Sequence, residues 1–424
     1  MLKRLPTICL LIFYIGCTIV MNGADKKRFQ TEPRCNTIHS LFVRNTSDWM
    51  LPPIISLQKE EQIHISFDEL SLEYRDVYYE IIHCNADWSP SSLNELDYLS
   101  GFNRNPLKEA ATSFNTHMDY THYALTLPND EVQFKLSGNY AVRLYDYHTD
   151  EELAYACFSI TEDVVSIAGN VIIDTDIAFR KEYQQVEFAI LTPEYKITNP
   201  HNELRVTVQQ NRRNDNQVTD IKPNYVQNDK LVYEHQKKLI FEASNEYRRF
   251  EMITTQYQGM GIERIEYEPP YYHVELQLPV TDRLESGYSF SQDLNGRSYI
   301  RSNSNDNSDT EADYCMVHYD LPMPLIREKG ALYVMGEFTN YKFNDFCRMQ
   351  YDDTRAAYHA VIPMKQGVYD YQYLFVPENE EKGTTRYTEG NYYETENEYL
   401  IMVYHRPVGS RYDRLIGYQC IKSN

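Results

Sequence analysis

Residues 183–208 read YQQVEFAILTPEYKITNPHNELRVTV and contain two runs of alternating apolar and other side chains. The first run covers 186–190 and the second covers 204–208. Because successive side chains of a strand point to opposite faces of a sheet, both runs predict half-buried β-strands. The Thr-Pro and Asn-Pro pairs between them are typical of turns.

The same period of two recurs along the whole chain. It is found at 63–67, 140–144, 274–278, 369–375 and 400–404. Since no long helical pattern separates these runs, the sequence predicts an all-β protein of tandem antiparallel β-sandwiches.

One short helix is expected in the first domain. Ser89 can cap it and Pro90 suits its first turn. Three leucines follow at helical spacing, namely Leu93, Leu96 and Leu99.

The chain has 424 residues, and a single hydrophobic core stops growing at about 250–300 residues, so several domains are expected. The alternation breaks after residue 160, and 302–311 contains no apolar residue. We therefore predict an N-terminal sandwich over 25–160, a middle sandwich over 165–300, a polar linker over 301–313 and a C-terminal sandwich over 314–424.

The first 24 residues are typical of a secretory signal peptide. Lys3 and Arg4 precede an apolar run over 5–21, and Ala24 offers a cleavage site. Two alternatives stay open at this stage: the run could be a short membrane anchor, or Cys17 could be lipidated.

The cysteines beyond this segment are widely spaced, so free buried thiols are the expectation rather than disulfides. They are Cys35, Cys84, Cys157, Cys315, Cys347 and Cys420. His83 and Cys84 are neighbours on a predicted strand and should point to opposite faces, so they cannot share a metal ion. We expect no metal and no cofactor.

The formal net charge of −21 argues against nucleic-acid binding, which needs clustered cations. The sequence contains no Gly-x-Ser-x-Gly elbow, no phosphate-binding glycine loop and no His-Glu-x-x-His motif. We therefore predict that the protein is not an enzyme and has no small-molecule substrate.

Three pairs of adjacent cations stand out in this acidic chain, at 212–213, 237–238 and 248–249. They could form a solvated face, local ion pairs or a contact patch for an acidic partner. Residues 411–414 could be a structural ion-pair cluster or a contact. The candidate partner-binding residues are Arg248, Arg249, Arg411, Tyr412 and Arg414.

The last predicted domain resembles the early-set immunoglobulin-like modules related to glycogen- and starch-binding domains. The resemblance rests on 336–341 (GEFTNY) and 369–373 (YDYQY). Tyr341 stands where those modules usually carry a sugar-stacking tryptophan. A periplasmic or surface glycan-binding protein is therefore the alternative function.

Many short motifs, in order from about residue 36 to 417, resemble the plug protein family of the bacterial type IX secretion system of Bacteroidetes. They are 82–91 (IHCNADWSPS), 113–116 (SFNT), 120–123 (YTHY), 137–140 (SGNY), 244–250 (SNEYRRF), 293–296 (DLNG), 312–314 (ADY), 365–371 (KQGVYDY), 394–399 (ETENEY) and 411–417 (RYDRLIG).

This resemblance implies a non-enzymatic subunit in the periplasm, at the inner face of the outer membrane. Its implied partner is the outer-membrane β-barrel translocon, whose periplasmic mouth it would block when no substrate is being exported. A further alternative, that the chain is itself an outer-membrane barrel, conflicts with the polar stretch at 209–230, because barrel strands need an unbroken apolar face.

Overall fold

The computed structural model describes residues 28–73, 75–176, 181–278, 283–303 and 307–423. The predicted signal peptide, with Cys17, lies outside the described residues. Strands make up about 47% of the chain and helices about 5%, which confirms the predicted all-β sandwich fold. Among the described residues, no helix is both long and apolar enough to cross a membrane.

The first unit covers residues 28–162 and packs two sheets around one core. Its elements are β1 (Glu32–Pro33), β2 (Ile38–Asn45), β3 (Ile54–Ser56), β4 (Ile63–Glu69), β5 (Val77–Cys84), α1 (Glu95–Tyr98), β6 (Leu99–Gly101), β7 (Arg104–Pro106), β8 (Glu109–Thr112), β9 (Thr121–Leu127), β10 (Val132–Phe134), β11 (Gly138–Asp146) and β12 (Glu152–Thr161). One sheet runs β1-β12-β11-β5-β7, with β3 added to β12, and the other runs β2-β4-β9-β8.

The second unit begins with the two strands predicted from 183–208. Its first elements are β13 (Ser166–Ile172), β14 (Tyr183–Leu191), α2 (Pro200–Glu203), β15 (Leu204–Gln210), β16 (Tyr225–Val226), β17 (Lys230–Tyr233) and β18 (Ile240–Glu242), with a 3₁₀ turn at Lys237–Leu239. Strand β14 lies in one sheet and β15 in the other, so the two predicted strands face each other across a core.

The third unit occupies residues 248–377. Its elements are β19 (Arg248–Met252), β20 (Ile262–Glu268), β21 (Tyr271–Leu276), β22 (Ser298–Ile300), α3 (Ser308–Glu311), β23 (Tyr314–Pro322), β24 (Gly330–Met335), β25 (Gln350–Asp352), β26 (Ala357–Lys365) and β27 (Gly367–Pro377), with a 3₁₀ turn at Glu337–Thr339. One of its sheets runs β20-β21-β23-β26-β25, and β27 is the central strand of the other layer.

The last two strands, β28 (Glu398–His405) and β29 (Arg414–Lys422), return to the second unit. Strand β28 pairs with β15 along its whole length, and Tyr399, Ile401 and Val403 complete the core of that unit. This differs from the predicted boundaries, which put 314–424 in one domain. The third unit is instead an insertion between β18 and β28.

The boundary at 301–313 also differs from expectation. Within the predicted polar linker, Ser308–Glu311 forms α3, and the carboxylate of Asp313 accepts the backbone N–H of His117 at 3.0 Å. Because Asp313 is buried between the first and third units, this segment is part of their interface.

The short helix of the first unit begins later than predicted. Ser89 does not cap it, since its hydroxyl donates to the carboxylate of Asp87 at 2.5 Å. Helix α1 starts after Asn94, whose N–H donates to the carboxylate of Asp97 at 2.9 Å. The carboxylate of Asp87 accepts the hydroxyl of Ser89, and the carboxylate of Asp97 accepts the N–H of Asn94. The helix therefore starts only at Glu95, and residues 89–94 are irregular.

Buried polar contacts join the three units. Lys365 of the third unit binds Asp68 of the first at 2.7 Å. Arg297 binds Glu398 of the second unit at 2.6 Å. The carboxylate of Asp413 accepts the N–H of Ala86 at 2.9 Å. Since close-packed interiors transmit strain and resist deformation, the units form one body.

The six cysteines beyond the predicted signal peptide are free thiols, as predicted. Cys84 packs against Ala141 and Cys157, whereas the ring of His83 lies 5.0 Å from that of Tyr140 on the other face. The prediction that His83 and Cys84 point to opposite sides of the sheet is confirmed.

Candidate partner-binding surface

Three large apolar side chains protrude almost fully into solvent. Val408 is 93% exposed, Phe102 is 84% exposed and Leu96 is 80% exposed. Among the described residues, these are the most exposed large hydrophobic side chains. The segments that carry them, 92–103 and 406–412, are called the apolar tip below.

Hydrogen bonds to the backbone of β5 anchor the first segment of the tip. The hydroxyl of Tyr98 and the side-chain amide of Asn103 both donate to the carbonyl oxygen of Ile81 at 3.0 Å. The N–H of Ile81 in turn donates to Asn103 at 2.8 Å. Because Tyr98 and Asn103 are both tied to Ile81, the turn that carries Phe102 is fixed between them.

Gly101 shapes the turn before Phe102. Its φ is +104°, and a Cβ atom at this position would lie 1.9 Å from the carbonyl oxygen of Glu131. Only glycine combines this backbone conformation with such a close approach.

The second segment of the tip comes from the far end of the chain. The guanidinium of Arg411 binds the carboxylate of Asp97 on α1 at 2.5 Å. The hydroxyl of Ser92 donates to the carbonyl oxygen of Arg411 at 3.3 Å. These contacts fix the loop that carries Val408 beside the helix that carries Leu96.

Aromatic side chains support the tip. The buried ring of His83 lies 5.5 Å from Tyr98, 5.0 Å from Tyr140 and 5.3 Å from Tyr412, measured between ring centroids. Burial lowers the pKa of His83 to about 4, so its ring is neutral at neutral pH. Tyr412, a predicted partner-binding residue, is half-buried and packs against the ring of His83.

The other predicted partner-binding residues have different environments. Arg411 is exposed and belongs to the tip. Arg248 binds the fully buried Glu389 at 3.0 Å, and Arg249 binds Asp370 at 2.7 Å. Arg414 is paired with Glu162. The structure thus brings Arg411 and Tyr412 together, while Arg248, Arg249 and Arg414 form ion pairs within the body.

The remaining basic pairs do not form one patch either. Arg213 is buried and binds Asp215 at 2.6 Å, and the guanidinium of Arg212 donates to the carbonyl oxygen of Met50 at 2.7 Å. Lys237 and Lys238 are exposed. A solvated face fits the exposed pair 237–238, whereas Arg213 of the pair 212–213 forms a local ion pair.

Sequence reasoning missed Phe102 and Val408 and counted Leu96 among the apolar positions of a longer helix. An apolar residue beside a glycine, as in Gly101-Phe102 and Val408-Gly409, is the signal that could have found them. Exposed apolar side chains on loop ends suit contact with another surface. They offer no nucleophile or acid–base pair for chemistry.

Tyr341 was the expected equivalent of a sugar-stacking residue in the third unit. It is only 9% exposed, and its hydroxyl donates to the carbonyl oxygen of Gly296 at 3.4 Å. A ring enclosed in this way cannot stack on a sugar.

The chain is similar to a protein family and to a solved structure. Residues 38–162, which include the first segment of the tip, match the family described as type 9 secretion system plug protein, first domain. The crystal structure of a hypothetical protein from Parabacteroides merdae is 41% identical to this chain, with a TM-score of 0.91, and the match covers 94% of this chain and 100% of that one. No curated protein matches the chain.

Proposed function

Because the chain belongs to the family of type 9 secretion system plug proteins, we propose that it closes the outer-membrane translocon of a type IX secretion system. It docks at the periplasmic mouth of the translocon barrel and blocks the pore when no substrate is passing. The observation that carries this proposal is the family match of the first unit.

The fold supports a role as a steric plug. A body that blocks a wide aqueous pore must not deform, and the buried ion pairs Asp68–Lys365 and Arg297–Glu398 join its units. The plug family and the all-β fold favour a structural, non-catalytic role in the cell envelope.

The apolar tip is the surface that we propose for the contact. Leu96, Phe102 and Val408 would enter apolar sites on the barrel, and the exposed guanidinium of Arg411 would lie at the edge of the contact. Arg411 pairs with Asp97 on the tip itself, whereas Arg248, Arg249 and Arg414 are less exposed and pair with carboxylates of the body, so we assign these three structural roles.

The test is co-purification with an affinity-tagged barrel subunit. The wild-type chain should be recovered with the barrel, and the triple variant Leu96→Ser, Phe102→Ser, Val408→Ser should be lost. Phe114→Ser is the matched control, because Phe114 is also an exposed loop residue of the first unit, at 73%, but lies outside the tip.

Cells that lack the chain should also admit a large hydrophilic antibiotic through the open pore. Absence of the wild-type chain from the purified barrel would exclude the plug function. Retention of the triple variant would leave the plug function standing and exclude the tip as the contact.

A further inference from the structure

Three histidines lie in adjacent positions on the open face of the third unit's larger sheet. They are His273 on β21, His318 on β23 and His359 on β26, and these strands are neighbours in that order. Each is half-buried and alternates with core residues such as Val274 and Val317, so all three rings point away from the core. We call this row the histidine ladder.

The rings of the ladder face one another. Nδ1 of His273 lies 2.8 Å from Nε2 of His318. The ring centroids of His318 and His359 are 5.6 Å apart. Nδ1 of His359 lies 2.9 Å from the carboxylate of Asp320.

The contact between His273 and His318 differs from the other close histidine contacts of the chain. His117, His122 and His148 each have a ring nitrogen against a carboxylate. His273 and His318 instead share one hydrogen bond between two ring nitrogens, so at least one of these nitrogens is the lone-pair acceptor of a neutral imidazole.

We propose that His273 and His318 bind a divalent transition-metal cation, of which Zn²⁺ is the representative, between Nδ1 and Nε2. Imidazole ligands select Zn²⁺, Cu²⁺ or Ni²⁺ rather than Mg²⁺ or Ca²⁺. Zinc–nitrogen bonds of about 2.0–2.1 Å place two tetrahedral ligands roughly 3.3 Å apart, so the pair needs to open only slightly.

His359 is the third imidazole of the site. A carboxylate on one ring nitrogen is the arrangement that orients metal-binding histidines and raises their basicity. Asp320 supplies it at Nδ1, and the His359 ring, whose centroid lies 5.6 Å from that of His318, must move toward the pair before its Nε2 can reach the cation.

The metal would join two strands whose hydrogen-bonded pairing is short. Strands β21 and β23 are parallel and register only from His273 opposite Met316 to Glu275 opposite His318. A cation between His273 and His318 would therefore fasten the β20–β21 hairpin to the rest of the sheet.

A second group of potential ligands must be separated from this one. Asp176, Glu187 and His235 have ligand atoms within 4.8 Å of one another. Nδ1 of His235 lies 3.2 Å from Asp176 and 3.6 Å from Glu187, so this exposed group is satisfied by its own opposite charges. It does not carry the proposal.

The experiment is a calorimetric titration of the tag-free, EDTA-treated chain with ZnCl₂ at pH 7.5. We expect one Zn²⁺ to bind the ladder, with an affinity reduced at least about tenfold in His273→Ala and in His318→Asn. His235→Ala and the exposed His201→Ala are controls that should keep the affinity. Zn²⁺ should also raise the melting temperature of the wild-type chain but not that of His318→Asn.

The unliganded melting temperature of each variant verifies that it folds. No Zn²⁺ binding by the wild-type chain would overturn the proposal. So would binding that survives in His318→Asn and disappears in His235→Ala, or a Mg²⁺ affinity equal to that for Zn²⁺.

Discussion

Lys365 of the third unit and Asp68 of the first unit form an ion pair of 2.7 Å in which the two side chains are only 2% and 1% exposed. The same carboxylate accepts the hydroxyl of Tyr314 at 2.7 Å and contacts Nδ1 of His122 at 2.6 Å. Burial acts to raise the pKa of Asp68, but Lys365 and His122 together hold it below its usual value. Asp68 is therefore charged at the junction of two units.

Removal of one member of this pair should weaken the whole body. Lys365→Met leaves a buried carboxylate without its cation, which typically costs about 3–5 kcal/mol of the free energy of unfolding. The double variant Asp68→Asn, Lys365→Met should lose less free energy of unfolding than the two single variants added together, because it leaves no unpaired charge of this pair buried. Urea denaturation measures both. Simple additivity would show that the two side chains do not interact.

His83 predicts a pH dependence of stability. Its pKa is about 4 in the folded chain and about 6.5 when unfolded, so only the unfolded state takes up a proton between these values. Stability should rise with pH across this window, and His83 should account for about 2 kcal/mol lost between pH 7 and pH 5. In His83→Gln this part of the loss should vanish. An identical pH profile for both proteins would contradict the assignment.

Gly101 and Gly409 form a matched pair of substitutions. Both have positive φ, but a Cβ at Gly101 would collide with a backbone carbonyl whereas a Cβ at Gly409 has nothing within 4 Å. Gly409→Ala should cost about 1–2 kcal/mol from backbone strain alone. Gly101→Ala should cost clearly more, because the turn itself must move. Equal midpoints of urea unfolding for the two variants would be inconsistent with the close approach at Gly101.

The cysteines predict a simple labelling pattern. Burial raises the pKa of Cys84 and of Cys347 to about 12, and Cys157 and Cys315 are also buried. These four thiols should resist alkylation in native buffer at pH 8 and react fully in urea, as measured by intact mass. Cys35 and Cys420 are half-buried and serve as internal references. Failure of urea to expose the four thiols would reveal disulfides.

The period-two pattern was sufficient to predict the fold class, because each strand of a sandwich has its own core face. Val186 and Phe188 on β14 and Val206 on β15 all lie in the core of the second unit. The domain boundaries were harder to predict, because the pairing of β15 with β28 does not change the alternation pattern within either strand. Strand β28 is buried on both faces, with Ile401 toward the second unit and Met402 toward the first.

Only part of the candidate surface could be predicted from the sequence. Arg411 and Tyr412 were recognised as polar residues near the terminus, and the structure places them in the tip. Phe102 and Val408 were missed because local apolarity does not distinguish an exposed side chain from a buried one. Arg248 and Arg249 were misleading, since their carboxylate partners, Glu389 and Asp370, lie more than a hundred residues away.

The return of β28 and β29 to the second unit affects how the protein is made. Val206 and Val208 on β15 have no complete core around them until Ile401 and Val403 have left the ribosome. A chain stopped anywhere before residue 398 thus carries a sandwich with one layer missing and an apolar flank open to proteases. The topology therefore makes the core of the second unit depend on strands that are synthesised after the entire third unit.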